Sequence, residues 1–134
     1  FNRIGADGCN RKEEVTVLRL PRNQLYGTLA PELSLVTSLR EITLSNNNLY
    51  GTVPQEFSNL KMLDTFVISF NAIDGQIPMF LFGIQGLAYV DISYNDLTGT
   101  VPQRLVDTMP NLDAFFAEGN KDLNDGKDSS SARH

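Results

Sequence analysis

Apolar positions in this chain follow one long pattern. From Leu39 they fall at Leu39, Ile42, Leu44, Leu49, Val53, Phe57 and Leu60, with Asn47, Gly51 and Pro54 at set places between them. The order returns as Leu63, Phe66, Ile68, Asn71, Ile73, Gly75, Ile77-Pro78, Leu81, Ile84, and again as Leu87, Val90, Ile92, Asn95, Leu97, Gly99, Val101-Pro102, Leu105 and Met109. An earlier copy runs Val15, Leu18, Leu20, Asn23, Leu25, Gly27, Leu29, Leu33, Val36. Asn23, Asn47, Asn71 and Asn95 recur at equal intervals, and Asn120 follows one place late. The units are therefore 15–38, 39–62, 63–86, 87–111 and a truncated fifth from Leu112. A period of about 24 residues, held over most of a chain, means one structural unit stacked on copies of itself.

Within each unit the elements can be read in order. The alternation Ile42-Thr43-Leu44 is the period of a half-buried strand. Gly51 and Pro54 forbid a long helix after it. Each unit then predicts a short strand, a turn, an extended piece closed by Pro, and a loose helical or 3₁₀ turn across residues such as 57–60. One unit cannot bury its apolar face, whereas stacked copies share a continuous core. Successive strands pair in parallel, roughly 4.8 Å apart.

The repeated Asn follows the strand, where the chain bends inward. Its amide offers two donors and an acceptor to the backbone of adjacent turns. Asn23, Asn47, Asn71, Asn95 and Asn120 are therefore read as an interior ladder and not as ligands. The repeated Gly predicts positive φ or close backbone approach. Ala30 occupies the slot held elsewhere by Pro54, Pro78 and Pro102, with Pro31 one place later, so the first unit is expected to bend slightly differently.

The pattern L-x-x-L-x-L-x-x-N-x-L-x-G-x-(I/V)-P resembles the plant-type leucine-rich repeat. The Gly-x-Val/Ile-Pro ending separates that class from other leucine-rich repeats. The likeness covers about residues 15–120 in five registers. It implies an α/β fold, a short right-handed solenoid in a horseshoe arc of about five repeats, with a parallel sheet on its concave face. Gly5-Ala-Asp-Gly-Cys9 resembles the end of the cysteine-bearing cap that precedes such repeats. That cap uses two cysteines and a Trp, whereas this chain has one Cys and no Trp, so residues 1–14 read as a degenerate cap. By resemblance, such modules are ectodomains of receptor-like kinases and receptor-like proteins, or secreted inhibitors of cell-wall hydrolases such as the polygalacturonase-inhibiting proteins. This implies an extracellular or cell-surface setting, and a parent chain that is membrane-anchored in the receptor case.

Composition narrows the function. The 134 residues carry a formal net charge of −5, which argues against nucleic acid as a partner. No run reaches the roughly 18 apolar residues of a membrane span. The chain opens at Phe1 without an initiator Met or leader, and reads as a mature product or a fragment of something longer. Cys9 stands alone, so no disulfide framework is expected within the chain. His134 is the only histidine. It lies in a polar stretch, 121–134, that is expected to be disordered. That placement removes Ser-His-Asp and Cys-His catalysis and most zinc sites. Residues 122–128 do not fit a calcium loop, because Lys121 and Leu123 would stand where oxygen ligands are needed. A carboxylate pair on the concave face, such as Asp91 with Glu118, would in principle suit glycosidase chemistry. Two solvated surface acids explain it better. No enzyme, metal or cofactor is expected.

The candidate surface is the outer side of the strands. Residues flanking the core positions form columns across the units. These are Val17, Glu41, Thr65, Tyr89, Ala114; then Arg19, Thr43, Val67, Asp91, Phe116; then Pro21, Ser45, Ser69, Ser93, Glu118; then Arg22, Asn46, Phe70, Tyr94, Gly119. Arg19 and Arg22 make the first strand basic. Phe70 and Tyr94 stand side by side, near Tyr89, Val67 and Phe116, and such patches mark interaction sites. The candidate ligand-binding set is Arg19, Arg22, Val67, Phe70, Tyr89, Asp91, Tyr94 and Phe116. It suits a protein or peptide ligand, with carbohydrate as the other candidate. The competing reading is that the aromatics merely cover the sheet, or meet a following unit of a longer parent. A scaffold arc with no dedicated ligand is the alternative function. Tyr26 and Tyr50 read as a structural stack on the outer turn. Five strands span about 20 Å and expose on the order of 300–400 Å², against roughly 800 Å² per partner in a standard interface. Weak binding, a short ligand or a longer parent solenoid is expected.

Overall fold

In the computed structural model the described residues are 13–103 and 105–124. The expected cap, apart from residues 13 and 14, and the positions of Cys9 and His134 lie outside them. Ten short strands alternate along the chain: β1 (Val17–Arg19), β2 (Tyr26–Thr28), β3 (Glu41–Thr43), β4 (Asn48–Gly51), β5 (Thr65–Val67), β6 (Ala72–Gln76), β7 (Tyr89–Asp91), β8 (Asp96–Thr100), β9 (Ala114–Phe116) and β10 (Leu123–Asn124). They form two sheets, β1-β3-β5-β7-β9 and β10-β8-β6-β4-β2. Every pairing is parallel. The chain is thus an α/β solenoid with one strand of each sheet per turn.

The first sheet follows from the three-residue alternation. Its middle residues, Leu18, Ile42, Phe66, Val90 and Phe115, lie in one row. Ile42, Phe66 and Val90 are fully buried, while Leu18 and Phe115, on the two end strands, are partly buried against the core. Inside, Phe57 meets Phe66 edge to face, 6.5 Å between centroids and 83° between planes. Each such ring, fully buried, contributes about 2–3 kcal/mol through removal of apolar surface from water.

The second sheet was not foreseen as a sheet; the sequence predicted only an extended piece before the Pro. Its register is regular. Gly27 lies beside Leu49, Gly51 beside Ile73, Gly75 beside Leu97, and Gly99 beside Leu123. A Cβ added at Gly51 or Gly75 would press on Thr28 or Thr52 of the preceding unit, at 3.0 and 2.8 Å, so these positions stay bare on that side. The last pairing corrects the expected disorder from Lys121: residues 121–124 continue the solenoid, and Leu123 takes the slot of Leu97. One residue inserted between Asn120 and Leu123 hid the match. Residues 125–134 lie outside the described set.

Between the sheets run short 3₁₀ helices, Pro31–Leu35, Gln55–Asn59 and Met79–Gly83. The fourth unit instead has a four-residue α-turn, α1 (Leu105–Thr108). There the Met109 N–H reaches back to the Leu105 carbonyl over 2.8 Å, an i to i−4 bond, whereas its equivalents Leu60 and Ile84 bond to i−3. The wider turn absorbs the residue inserted in that unit. The expected difference at Ala30 is not found. Its φ of −76° and ψ of 121° sit beside −63° and 136° at Pro54 and −71° and 99° at Pro78. Extended backbone suits any residue there, and Pro31 serves as the first residue of its 3₁₀ helix.

The asparagines tie the turns together. The Asn47 Oδ1 accepts from the N–H groups of Asn23 (2.8 Å) and Leu25 (3.0 Å), while its Nδ2 donates to the carbonyls of Leu20, Leu44 and Ser45. Asn71 links Leu49 N–H to the Leu44, Ile68 and Ser69 carbonyls. Asn95 links Ile73 N–H to Ile68, Ile92 and Ser93, and Asn120 links Leu97 N–H to Ile92 and Ala117. Strand-end backbone groups that have no sheet partner are satisfied this way, as buried polar groups must be. Asn23 departs from the ladder. It is exposed, and its amide donates to Pro21 within its own turn, because no described turn precedes it.

Candidate functional site

The two outermost columns of the first sheet align as strand partners: Val17, Glu41, Thr65, Tyr89, Ala114 and Arg19, Thr43, Val67, Asp91, Phe116. The third column is mixed: Pro21 and Glu118, in the end turns, are exposed, and Ser45 is half-buried. Ser69 and Ser93 are buried, because the chain turns inward there toward the ladder. The fourth column returns to the surface. Its members Arg22, Asn46, Phe70 and Tyr94 all have φ between 55° and 58°, and Gly119 has φ 80°. Left-handed backbone is ordinary for Asn and Gly and uncommon for a bulky aromatic.

Those two aromatics stack. The Phe70 and Tyr94 rings lie 4.5 Å apart and 7° from parallel. The Tyr94 ring in turn lies over Gly119, where an added Cβ would press into the ring at Cδ1. Gly119 is the bare floor on which the stack rests. A second pair, Tyr89 and Phe116, meets at 5.8 Å and 57°. Phe70, Tyr94, Tyr89 and Phe116 remain 49%, 45%, 40% and 39% exposed, so all four residues present apolar surface to solvent. Val67, half-buried, lies in register between Thr43 and Asp91.

The expected basic character of the first strand is corrected at Arg19. Its guanidinium holds Glu41 with two bonds, Nε to Oε2 at 2.8 Å and Nη2 to Oε1 at 2.7 Å. The Thr43 hydroxyl adds a third at 2.7 Å. Hydrogen bonding and charge from Arg19 keep the Glu41 carboxyl below its usual range, and the same contact raises Arg19 further. Glu41 sits diagonally across from Arg19, a relation that neither column shows by itself. Arg22 is exposed at the turn beside this pair. Asp91 is half-buried. Its Oδ1 accepts from the Ser93 N–H at 3.1 Å and hydroxyl at 2.5 Å.

On the other side of the molecule, Tyr26 and Tyr50 meet at 5.3 Å and 55° on β2 and β4. They are separate from the strip on the first sheet. Among the described residues no group of three or more His, Cys, Asp and Glu side chains gathers to hold a metal. No described helix is long and apolar enough to cross a membrane.

Comparison with known proteins agrees with this architecture. The family model described as Leucine Rich Repeat matches residues 38–60. No curated protein matches the chain in sequence. Among solved structures, a plant peptide hormone receptor, RGFR1, in complex with RGF2 superposes with a TM-score of 0.76 at 36% identity, covering 81% of this chain and 17% of that one. The BIR3–SERK2 complex from Arabidopsis thaliana gives 0.70 at 31%, covering 82% and 57%. The leucine-rich-repeat ectodomain of the receptor kinase SOBIR1, also from Arabidopsis thaliana, gives 0.67 at 26%, covering 83% and 74%. The chain thus spans a small part of the first of these and little more than half of the second. A two-sheet solenoid with an asparagine ladder defines a leucine-rich-repeat protein. The chain belongs to the plant-type leucine-rich-repeat family.

Proposed function

We propose that this chain is a non-catalytic recognition module that binds a protein or peptide on its first sheet, the concave side of the solenoid. The observation that carries this is the Phe70–Tyr94 stack. Left-handed backbone at a bulky residue costs roughly 1–2 kcal/mol, and Asn46 shows what the position accepts without that cost. Two aromatics held there and left half-open are what a contact surface requires. Fold alone does not choose a function. Support comes from the relatives, where one receptor holds a peptide hormone and one complex joins two such proteins. By likeness to a receptor ectodomain, the setting is extracellular or at the cell surface, and the chain forms part of a longer recognition surface.

Panning a random heptapeptide library tests this. The chain captures a distinct set of peptides, and the double variant Phe70→Asn, Tyr94→Asn loses them while keeping the fold. Undiminished capture by the folded double variant favours binding elsewhere. No capture by either protein favours a scaffold arc.

A further inference from the structure

We infer that Tyr89, Asp91 and Phe116 form a subsite for a cationic side chain, arginine or lysine, of an extended peptide. The inference rests on recognition at the first sheet and names the chemistry of one point on it. Tyr89 and Asp91 are two residues apart on β7 and share a face. Phe116 is the direct strand partner of Asp91. The Tyr89 ring leans toward Phe116 across the strands, at 5.8 Å. The carboxylate therefore stands beside two tilted, half-open rings. On its other flank the strand partner is Val67.

Charge complementarity selects the occupant. Among the described residues, only Ser93 hydrogen-bonds to the Asp91 carboxylate, and both of those bonds go to Oδ1. The anchored oxygen fixes the carboxylate while Oδ2 keeps its accepting capacity. No basic side chain is among its neighbours in the grid, which are Val67, Tyr89 and Phe116. The described arginine on this sheet, Arg19, is held by Glu41 on β1 and β3. Glu118, exposed at the end of the same edge, adds negative potential. A cation over an aromatic face is attracted by the ring quadrupole, and most strongly where a carboxylate is close. An anionic or purely apolar side chain would leave Asp91 desolvated and unpaired, which is costly.

The test is an NMR titration of the full chain with two blocked pentapeptides, Gly-Ser-Arg-Ser-Gly and the same peptide carrying neutral citrulline in place of arginine. The arginine peptide is expected to bind on the order of fivefold tighter, with amide shifts centred on Tyr89, Asp91 and Phe116. Asp91→Asn removes the preference. That variant keeps an Oδ1 for Ser93, so unchanged Ser93 and Tyr94 shifts report an intact turn. Equal binding of both peptides overturns the cation subsite and leaves recognition standing. An arginine preference that survives in Asp91→Asn, or no shift at these three residues, overturns it as well. Recognition itself is judged separately, by library capture.

Discussion

Phe70 and Tyr94 stack 4.5 Å apart while both hold a left-handed backbone that their neighbour Asn46 occupies at lower cost. Two terms oppose each other. The stack is worth about 0.5–1.5 kcal/mol and half-burial of the two rings adds about 2 kcal/mol in all, whereas left-handed backbone at both residues costs roughly 2–4 kcal/mol. These nearly cancel. The double change Phe70→Asn, Tyr94→Asn is expected to move the unfolding free energy by no more than about 1.5 kcal/mol in urea denaturation. A loss of several kcal/mol would show that the stack exists to hold the fold.

Gly119 has no room for a side chain. Its φ is 80° and an added Cβ would press into the Tyr94 ring. Gly119→Ala is expected to cost about 1–2 kcal/mol and to push Tyr94 out of its stack. Urea denaturation together with loss of the Phe70–Tyr94 ring-to-ring NMR contacts checks both parts.

Asn95 and Asn23 occupy the same place in the repeat and carry different loads. Asn95 is buried and bridges four backbone groups. Removing the amide strands buried donors and acceptors, each worth about 1–3 kcal/mol. Asn95→Ala is expected to destabilise by about 3 kcal/mol, and Asn23→Ala by about 0.5 kcal/mol. Equal effects in thermal or urea unfolding would contradict the ladder as the link between turns.

The Arg19–Glu41 pair predicts a pH dependence. Hydrogen bonds from Arg19 lower the folded-state value of Glu41, so the unfolded chain binds that proton more readily. Stability from the pair is complete above the ordinary carboxylate value of about 4.3 and is lost as pH falls through the lowered folded value. Arg19 stays charged throughout that window. Glu41→Gln should therefore be less stable than the parent at pH 7, and the two should converge in strong acid. The gap should be small and should shrink with added salt, as for other solvent-exposed pairs. Parallel stability curves at all pH values would refute this.

Much of the fold was legible because the repeat carries it. Ile42, Phe66 and Val90 recur with the period, and the two outermost columns of the first sheet follow once their register is set. The second sheet was not legible. Phrases such as Asn47-Asn-Leu-Tyr-Gly51, with two Asn and a Gly, have weak strand propensity, and they pair because stacking of the turns sets Leu49 in register with Gly27. The last strand was hidden because one inserted residue shifts Leu123 out of step with Leu97. At the site, Phe70 and Tyr94 could be named from sequence, while their left-handed backbone could not, since bulky aromatics rarely adopt it. Ser69 and Ser93 were placed outside by extending a two-residue alternation past the strand end, where the chain has already turned inward. The Arg19–Glu41 contact runs diagonally between strands, which a column-by-column reading passes over.

The most direct measurement is an amide-shift map of the chain bound to peptides captured from the heptapeptide library. Perturbations confined to β1, β3, β5, β7, β9 and the turn residues Phe70, Tyr94 and Gly119 are the predicted result. Perturbations centred on β2, β4, β6, β8 and β10 instead would contradict recognition on the first sheet.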